Sequence, residues 1–347
     1  MKNQLKKLLL ILCVVSFSVA NQAVGQTRNN SKRDQSLKRQ ANKQSRTSQA
    51  TLVSELVPAE DMTLKNQTKE VKVAAKSIEN IVKNSEDLTV AKPNGNINWT
   101  QQYIEAVGQS VIDNERFKNV AQARLMATRG AVVIAQRNLL EIVKGVDIVG
   151  ETTVQDMITT SDFVYSKVEG VVKGAKQVGK ATENEGVIEV RLRMPIYGKE
   201  SLASTVDEET MTAAKSKRGY EAAPELLKQE TETGVGIDGS KPIVFNVANG
   251  DVKDPAMFPI IIDDNGKVLF DFSTMYKLKD GAFPKYLQMG KDILQAMGNQ
   301  KAVDVINMIQ TRKGEFKIPE NSTKKVFWNK VAKVAQDVGA VLFKLIF

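Results

Sequence analysis

The chain's apolar positions keep two periods. Between Val187 and Ile196 the apolar Ile188, Val190, Leu192 and Met194 alternate with Glu189, Arg191 and Arg193, the period of two of a half-buried strand. From about Asn119 to Lys144 the period lengthens. Ala127, Ala131, Ile134, Ala135, Leu139 and Ile142 fall broadly on one side when turned by about 100° per residue. Gln122, Arg129, Gln136, Arg137 and Lys144 fall on the other side. Asn119 suits an N-cap and Gly145 the C′ position, so the spacing predicts one long helix whose alanines let it approach a sheet closely. The apolar segment from Trp99 to Ile112 reads as an opening strand or strand pair. Val146–Val149, Phe163–Tyr165 and Val168–Val178 read as further strands from their β-branched and aromatic content, with Gly170 and Gly174 as bulges.

The fold class expected is α+β: a long helix packed on a small antiparallel or mixed sheet over residues 96–198, followed by a second small α+β domain over 240–347. Residues 199–239 read as a charged linker, helical or loose and solvent-exposed, because Asp207-Glu208-Glu209 and Lys215 to Arg218 form opposed charge clusters. In the second domain, Pro242–Val247 and Phe258–Ile262 read as strands. Asn265-Gly266 predicts a hairpin turn into Lys267–Phe270. Pro284 is expected near the start of a helix carrying Tyr286, Leu287, Ile293, Leu294 and Met297. Val326–Val338 has a helical pattern, and Val341–Phe347 is short enough for a final strand.

The first 95 residues have a different character. Lys2, Lys6 and Lys7 precede the apolar run Leu8–Val15, the charged and apolar regions of a secretory signal, so residues 1–25 are expected to be a signal peptide of an exported protein. Cleavage fits after Ala20 or Gly25. Lipidation at Cys13 would require a small residue where Leu12 stands, so the cysteine reads as part of the apolar run and no lipid anchor is expected. Residues 26–95 hold few large apolar side chains and are expected to be largely disordered, with a short helix within Asp61–Val82. Arg28, Lys32, Arg33, Lys38, Arg39, Lys43 and Arg46 face only Asp34 in their stretch. This cluster is the candidate for binding an anionic polymer or lipid surface, against the plainer reading of a solvated spacer. No aromatic residue is interleaved for base stacking, so nucleic acid is not the partner expected.

Composition narrows the chemistry. The 347 residues carry a net charge of +9 and include no histidine and one cysteine, Cys13. This excludes histidine-based nucleophile systems and imidazole ligands, and, once the leader is removed, thiolate chemistry and disulfides. Three motifs approach a known site without reaching one. Gly234–Gly239 matches G-x-G-x-x-G but follows a charged linker and precedes a strand, so it reads as a loop. Gly174–Lys180 resembles a phosphate loop, but Ala181 stands where a hydroxyl would meet magnesium; it reads as a strand end and turn. Asp263–Gly266 lacks the spacing and closing glutamate of a calcium loop. A pair of carboxylates acting on glycosides would need only two acids across a cleft, and nothing in the sequence nominates the pair. No catalytic residue, metal or cofactor is expected.

The helix run Ala121–Ala131 and Ala135–Val146, the stretch Val168–Gly174 and the closing Pro195-Ile196-Tyr197-Gly198 resemble the FlgP-like family of small bacterial envelope lipoproteins, and are similar to the N-terminal domain of flagellar assembly protein T. Ile243–Tyr276 is similar to a C-terminal region of longer members of that family. The resemblance implies a non-enzymatic, self-associating scaffold in the periplasm or at the outer membrane, in flagellar or other envelope assemblies. It implies a homo-oligomer that meets envelope proteins and has no transmembrane span in the mature chain. This chain departs from the lipoproteins in having no acylation cysteine.

Overall fold

The long helix forms where its periodicity places it, and its ends are set by local chemistry. In the computed structural model it runs over Val120–Lys144. The Asn119 side chain accepts hydrogen bonds from the Ala121 and Gln122 amides, and Gly145 closes the last turn at φ −86°, without using its left-handed freedom. The described residues are 79–220, 241–249, 255–263, 265–276, 283, 285–289, 294–296, 303–318, 331 and 341–345.

In chain order the first half comprises β1 (Glu86–Asp87), β2 (Thr89–Lys92), β3 (Gly95–Asn98), β4 (Tyr103–Val111), α1 (Val120–Lys144), β5 (Asp147–Val149) and β6 (Thr152–Thr153). It continues with α2 (Val154–Thr160), α3 (Asp162–Lys173), β7 (Lys176–Gln177), β8 (Thr182–Asn184) and β9 (Val187–Pro195). Strands β2, β3, β4, β9 and β7 form an antiparallel sheet in that order, and β8 also pairs with β9. Strands β4 and β9 pair without a register shift from Tyr103 opposite Pro195 to Val111 opposite Val187. The alternation read from the sequence is realised: Ile188, Val190, Leu192 and Met194 are buried.

Helix α1 lies on β4 and β9 through small residues. Its buried stripe is Ala123, Ala127, Ala131, Ala135, Leu139, Ile142 and Val143. A Cβ placed on Gly108 of β4 would stand 2.1 Å from the Ala131 carbonyl oxygen and 2.3 Å from the Ala135 nitrogen, so the helix backbone rests directly on the strand. The Asn138 side chain donates to the Val107 carbonyl at 2.7 Å and fixes the helix along the strand. Ile134, expected on the buried side, is 37% exposed; the four-residue steps from Ala123 to Leu139 carry the contact past it.

Several expectations are corrected. Phe163–Tyr165 and most of Val168–Val178 are helix α3, not strand. Val164, Val168 and Val172 are its buried residues and fall every four positions on one face, while Ser161 caps the first turn by accepting from the Val164 amide. Thr153 and Asp156 form a capping box at the start of α2. Gly174–Lys180 is a helix end, a two-residue strand and a turn at Gly179, and Gly174 is the C-cap of α3. The segment after β9 is not a free connector: Leu202–Thr205 forms a 3₁₀ turn and α4 (Glu208–Lys217) a helix. Leu202, Ala203, Met211, Ala214 and Tyr220 of this segment are buried. The tract expected to be disordered up to residue 95 already contributes β1 and β2, with Ile81 and Leu88 buried; residues 79–83 are helical.

The second half comprises β10 (Ile243–Asn249), β11 (Ile260–Ile262), β12 (Val268–Asp271), β13 (Lys285–Gln288), β14 (Asp304–Arg312), β15 (Glu315–Lys317) and β16 (Val341–Leu345). They form a mixed sheet with β1, in the order β1-β13-β16-β10-β14-β15-β11-β12. The hairpin from β11 to β12 turns at Gly266, φ +80°, and β16 is the final strand expected. Residues 285–288, expected in a helix, are strand β13, because Tyr286 and Leu287 are both buried where the strand lies between β16 and β1. Residues 294–296 of that expected helix are helical. The signal peptide, the basic cluster, Gly234–Gly239 and nearly all of Val326–Val338 lie outside the described residues.

The described residues belong to one compact unit, and a short stretch of chain does much of the joining. Strand β1 pairs antiparallel with β13 in the second sheet, and β2, one residue later, starts the first sheet. Leu88 between them is 1% exposed, and its amide donates to the Thr100 hydroxyl, which donates in turn to the Tyr286 carbonyl. Around this crossing, Trp99 meets Tyr286 edge-on at 5.6 Å and Tyr197 stacks on Phe283 at 4.4 Å. The Met257 and Phe258 amides donate to the Asp147 and Ile148 carbonyls of β5.

Two glycine substitutions test this packing with opposite signs. Gly108→Ala must push α1 off β4 and is expected to cost about 3 kcal/mol. Gly170→Ala, in a helix and with nothing within 4 Å of its added Cβ, is expected to stabilise by about 0.5–1 kcal/mol. Denaturant unfolding of the two variants checks both; equal effects would contradict the direct backbone contact.

Candidate functional site

The buried polar groups are arranged to hold the sheets together. Tyr197 donates to the Met257 carbonyl at 2.6 Å, and Tyr286 to the Ala256 carbonyl at 2.7 Å. Tyr276 accepts from the Gly198 amide at 2.7 Å. Tyr220 and Thr311 both donate to the Glu315 carboxylate at 2.5 Å. Lys285 donates to the Thr100 carbonyl, and Gln102, held at φ +61°, donates to the Phe283 carbonyl. Burial pushes the phenols of Tyr197, Tyr220, Tyr276 and Tyr286 above the ordinary tyrosine value and pushes the Lys285 ammonium down.

Among the described residues, the buried Glu105, Asp147, Asp271 and Glu315 each have a partner. Glu105 accepts two bonds from Arg193, its direct partner across β4 and β9. Asp271 pairs with Lys215 and accepts from the Ser273 amide. Asp147 pairs with Lys313 at 3.4 Å, and Glu315 is held by the two hydroxyls already described. Among the described residues, no group of three or more acids or other ligating side chains is placed to hold a metal. The loop at Asp263 is a turn: its carboxylate accepts from the Asn265 and Lys267 amides.

The exposed surface is more distinctive. Of the nine large hydrophobic side chains exposed among the described residues, Val120, Leu125, Met126, Val133 and Ile134 lie on α1, and Phe163 and Tyr165 on α3. Arg129 and Arg137 are exposed on the same helix. Two grooves flank α3. One, of about 520 Å³, runs between α2, the start of α3 and α4, with Asp156, Asp207 and Glu209 among its residues. Both aspartates are held below the usual carboxylate range, chiefly by hydrogen bonds from Thr153 and Thr210 at the helix starts they cap. The other, of about 510 Å³, lies between the C-terminal half of α3 and the end of β9.

None of these features was named from the sequence as a site. The candidate cluster Arg28, Lys32, Arg33, Lys38, Arg39, Lys43 and Arg46 lies outside the described residues. Val133 gave a signal, as an apolar residue off the alanine side of the helix, whereas the pattern places Ile134 on that side. The grooves gave none, because their walls come from segments far apart in sequence. No helix among the described residues is long and apolar enough to cross a membrane. No family model matches the chain, and no curated protein matches it.

Buried Tyr197, Tyr220 and Tyr286, with half-buried Tyr276, set an alkaline limit. Folding raises their values, so the unfolded chain binds fewer protons once pH exceeds the ordinary tyrosine value of 10.0. The stability they contribute is present below that pH and is lost as pH rises past it. Ultraviolet titration is expected to show these phenolates appearing together with loss of circular dichroism. Their ionisation in a protein that stays folded would contradict the packing and hydrogen bonds described for these tyrosines.

Proposed function

We propose that this protein is an exported, non-enzymatic scaffold of the cell envelope, periplasmic or associated with the outer membrane, which works by associating with further copies of itself. The observation that carries the reading is the reversed distribution of apolar size on α1. The helix buries alanines against β4 and β9 and leaves Leu125, Met126, Val133 and Ile134 facing outward. Exposed apolar side chains gathered on one layer are characteristic of association surfaces. A second copy brings the same layer, so the two apolar faces cover each other. The secretory leader, the lack of histidine and of any cysteine beyond Cys13, and the resemblance of the helix to the FlgP-like family support the same reading. A flagellar assembly is one setting the resemblance suggests. The rival reading, a module binding an anionic envelope polymer through residues 28–46, rests on sequence alone.

Sedimentation of the full mature chain over a wide concentration range tests the proposal. Association is expected, and the double substitution Met126→Asp with Val133→Asp is expected to weaken it by about tenfold or more with the fold unchanged, since both side chains are exposed. A chain that stays monomeric throughout, or that associates equally well after the substitutions, would overturn it.

A further inference from the structure

We infer that the groove between the C-terminal half of α3 and the end of β9 binds an anionic amphiphile, a molecule with an apolar body and a negatively charged oxygen head group. This inference is independent of the self-association reading. The groove, of about 510 Å³, has the size and make-up of a ligand site: an apolar floor with a few convergent polar groups. Val171, Ala175 and Pro195 supply the floor, and Gly170 leaves one wall open. Lys167, Lys176, Arg193 and Lys199 supply the charge, against Glu200 as the single acid lining the groove.

Two of the cations are positioned before any ligand arrives. Arg193 lies 3.7 Å over the Tyr103 ring while its Nε and Nη2 bond Glu105. Lys167 sits 4.0 Å over the Phe163 ring. Ring contacts of this kind fix long side chains and lower the ordering cost of binding. Glu105 offsets the Arg193 charge, and Asp207 in the neighbouring groove acts on Lys167, so Lys176 and Lys199 carry most of the uncompensated field. Lys199 is presented by an unusual loop: Gly198 has φ +100° and Glu200, a non-glycine residue, φ +53°. Two hydrogen bonds hold that loop in place, Tyr276 accepting from the Gly198 amide and Ser201 donating to the Gly198 carbonyl. Left-handed backbone maintained by surrounding structure is a recurring feature of ligand clamps.

The two halves of the groove argue for the two halves of the ligand. A bare anion would leave the apolar floor uncovered, and a neutral apolar molecule would leave the lysines without a counter-charge. No aromatic residue lines the floor to stack a base.

The test uses the full chain and calorimetric titration with octyl phosphate as monomer, with octanol and inorganic phosphate as its separate halves. Octyl phosphate is expected to bind at least about tenfold tighter than either half. The double variant Lys176→Gln with Lys199→Gln should weaken it by a similar factor. Gly170→Leu, whose side chain enters open space, should do so without touching any charge, with thermal unfolding showing both variants folded. Vesicles of phosphatidylglycerol, against neutral phosphatidylcholine, separate the sources. Retention lost in Gly170→Leu assigns a bilayer lipid; unchanged retention with lost octyl phosphate binding assigns a free amphiphile. Octyl phosphate binding no tighter than octanol, or binding unaltered in both variants, would overturn the inference.

Discussion

The rest of the structure depends on one close approach, that of the α1 backbone to strand β4 at Gly108. With no side chain there, the Ala131 carbonyl and the Ala135 nitrogen come where a Cβ would otherwise stand. Such a short helix-to-sheet distance admits only alanine along most of the buried stripe. The larger apolar residues of the helix are therefore displaced to its outer side. A helix that buries small residues contributes less apolar area than usual for its length. The deficit is offset by Leu139, Ile142 and Val143 at its C-terminal end and by the hydrophobic core they join.

A second constraint follows from the crossing at Leu88. Two adjacent strands of the chain belong to different sheets, so neither sheet is complete without the segment that the other also needs. The strap formed by α4 and Tyr220 adds ties to both halves: Arg218 to Glu151 and Thr152, Lys215 to Asp271 and Ser273, and Tyr220 to Glu315. These contacts explain why residues 199–220, whose charge suggested an exposed connector, are ordered against the protein. Their buried apolar residues, Leu202, Ala203, Met211, Ala214 and Tyr220, are spaced to meet it.

What was legible in the sequence was whatever rests on local pattern. The period of two in β9, the Asn119 cap, the alanine stripe and the Asn265-Gly266 turn each act over a few residues, and the structure follows them. What was missed depends on partners distant in sequence. Valine at 164, 168 and 172 satisfies a helix as well as a strand, and Ser161 was the local signal that separates them. Tyr286 and Leu287 sit at helical spacing with Ile293 and Leu294, yet the sheet edge offered by β16 and β1 makes them strand. The outward face of α1 was readable in part, whereas the two grooves exist only after α3 and α4 have packed.

In the proposed self-association the outer side of the helix layer is a contact surface between copies, and Met126 is a reporter placed on it. Met126 is 40% exposed while Met194 is 1% exposed, so oxidation of the first to sulfoxide follows its solvent access and the second serves as an internal reference. Mass spectrometry after a brief peroxide pulse, on dilute and on concentrated full-length mature protein, reads both together. Met126 is expected to oxidise readily in dilute solution and to become protected as concentration rises, with Met194 unchanged. Equal oxidation of Met126 at both concentrations, in protein that nonetheless associates, would contradict it.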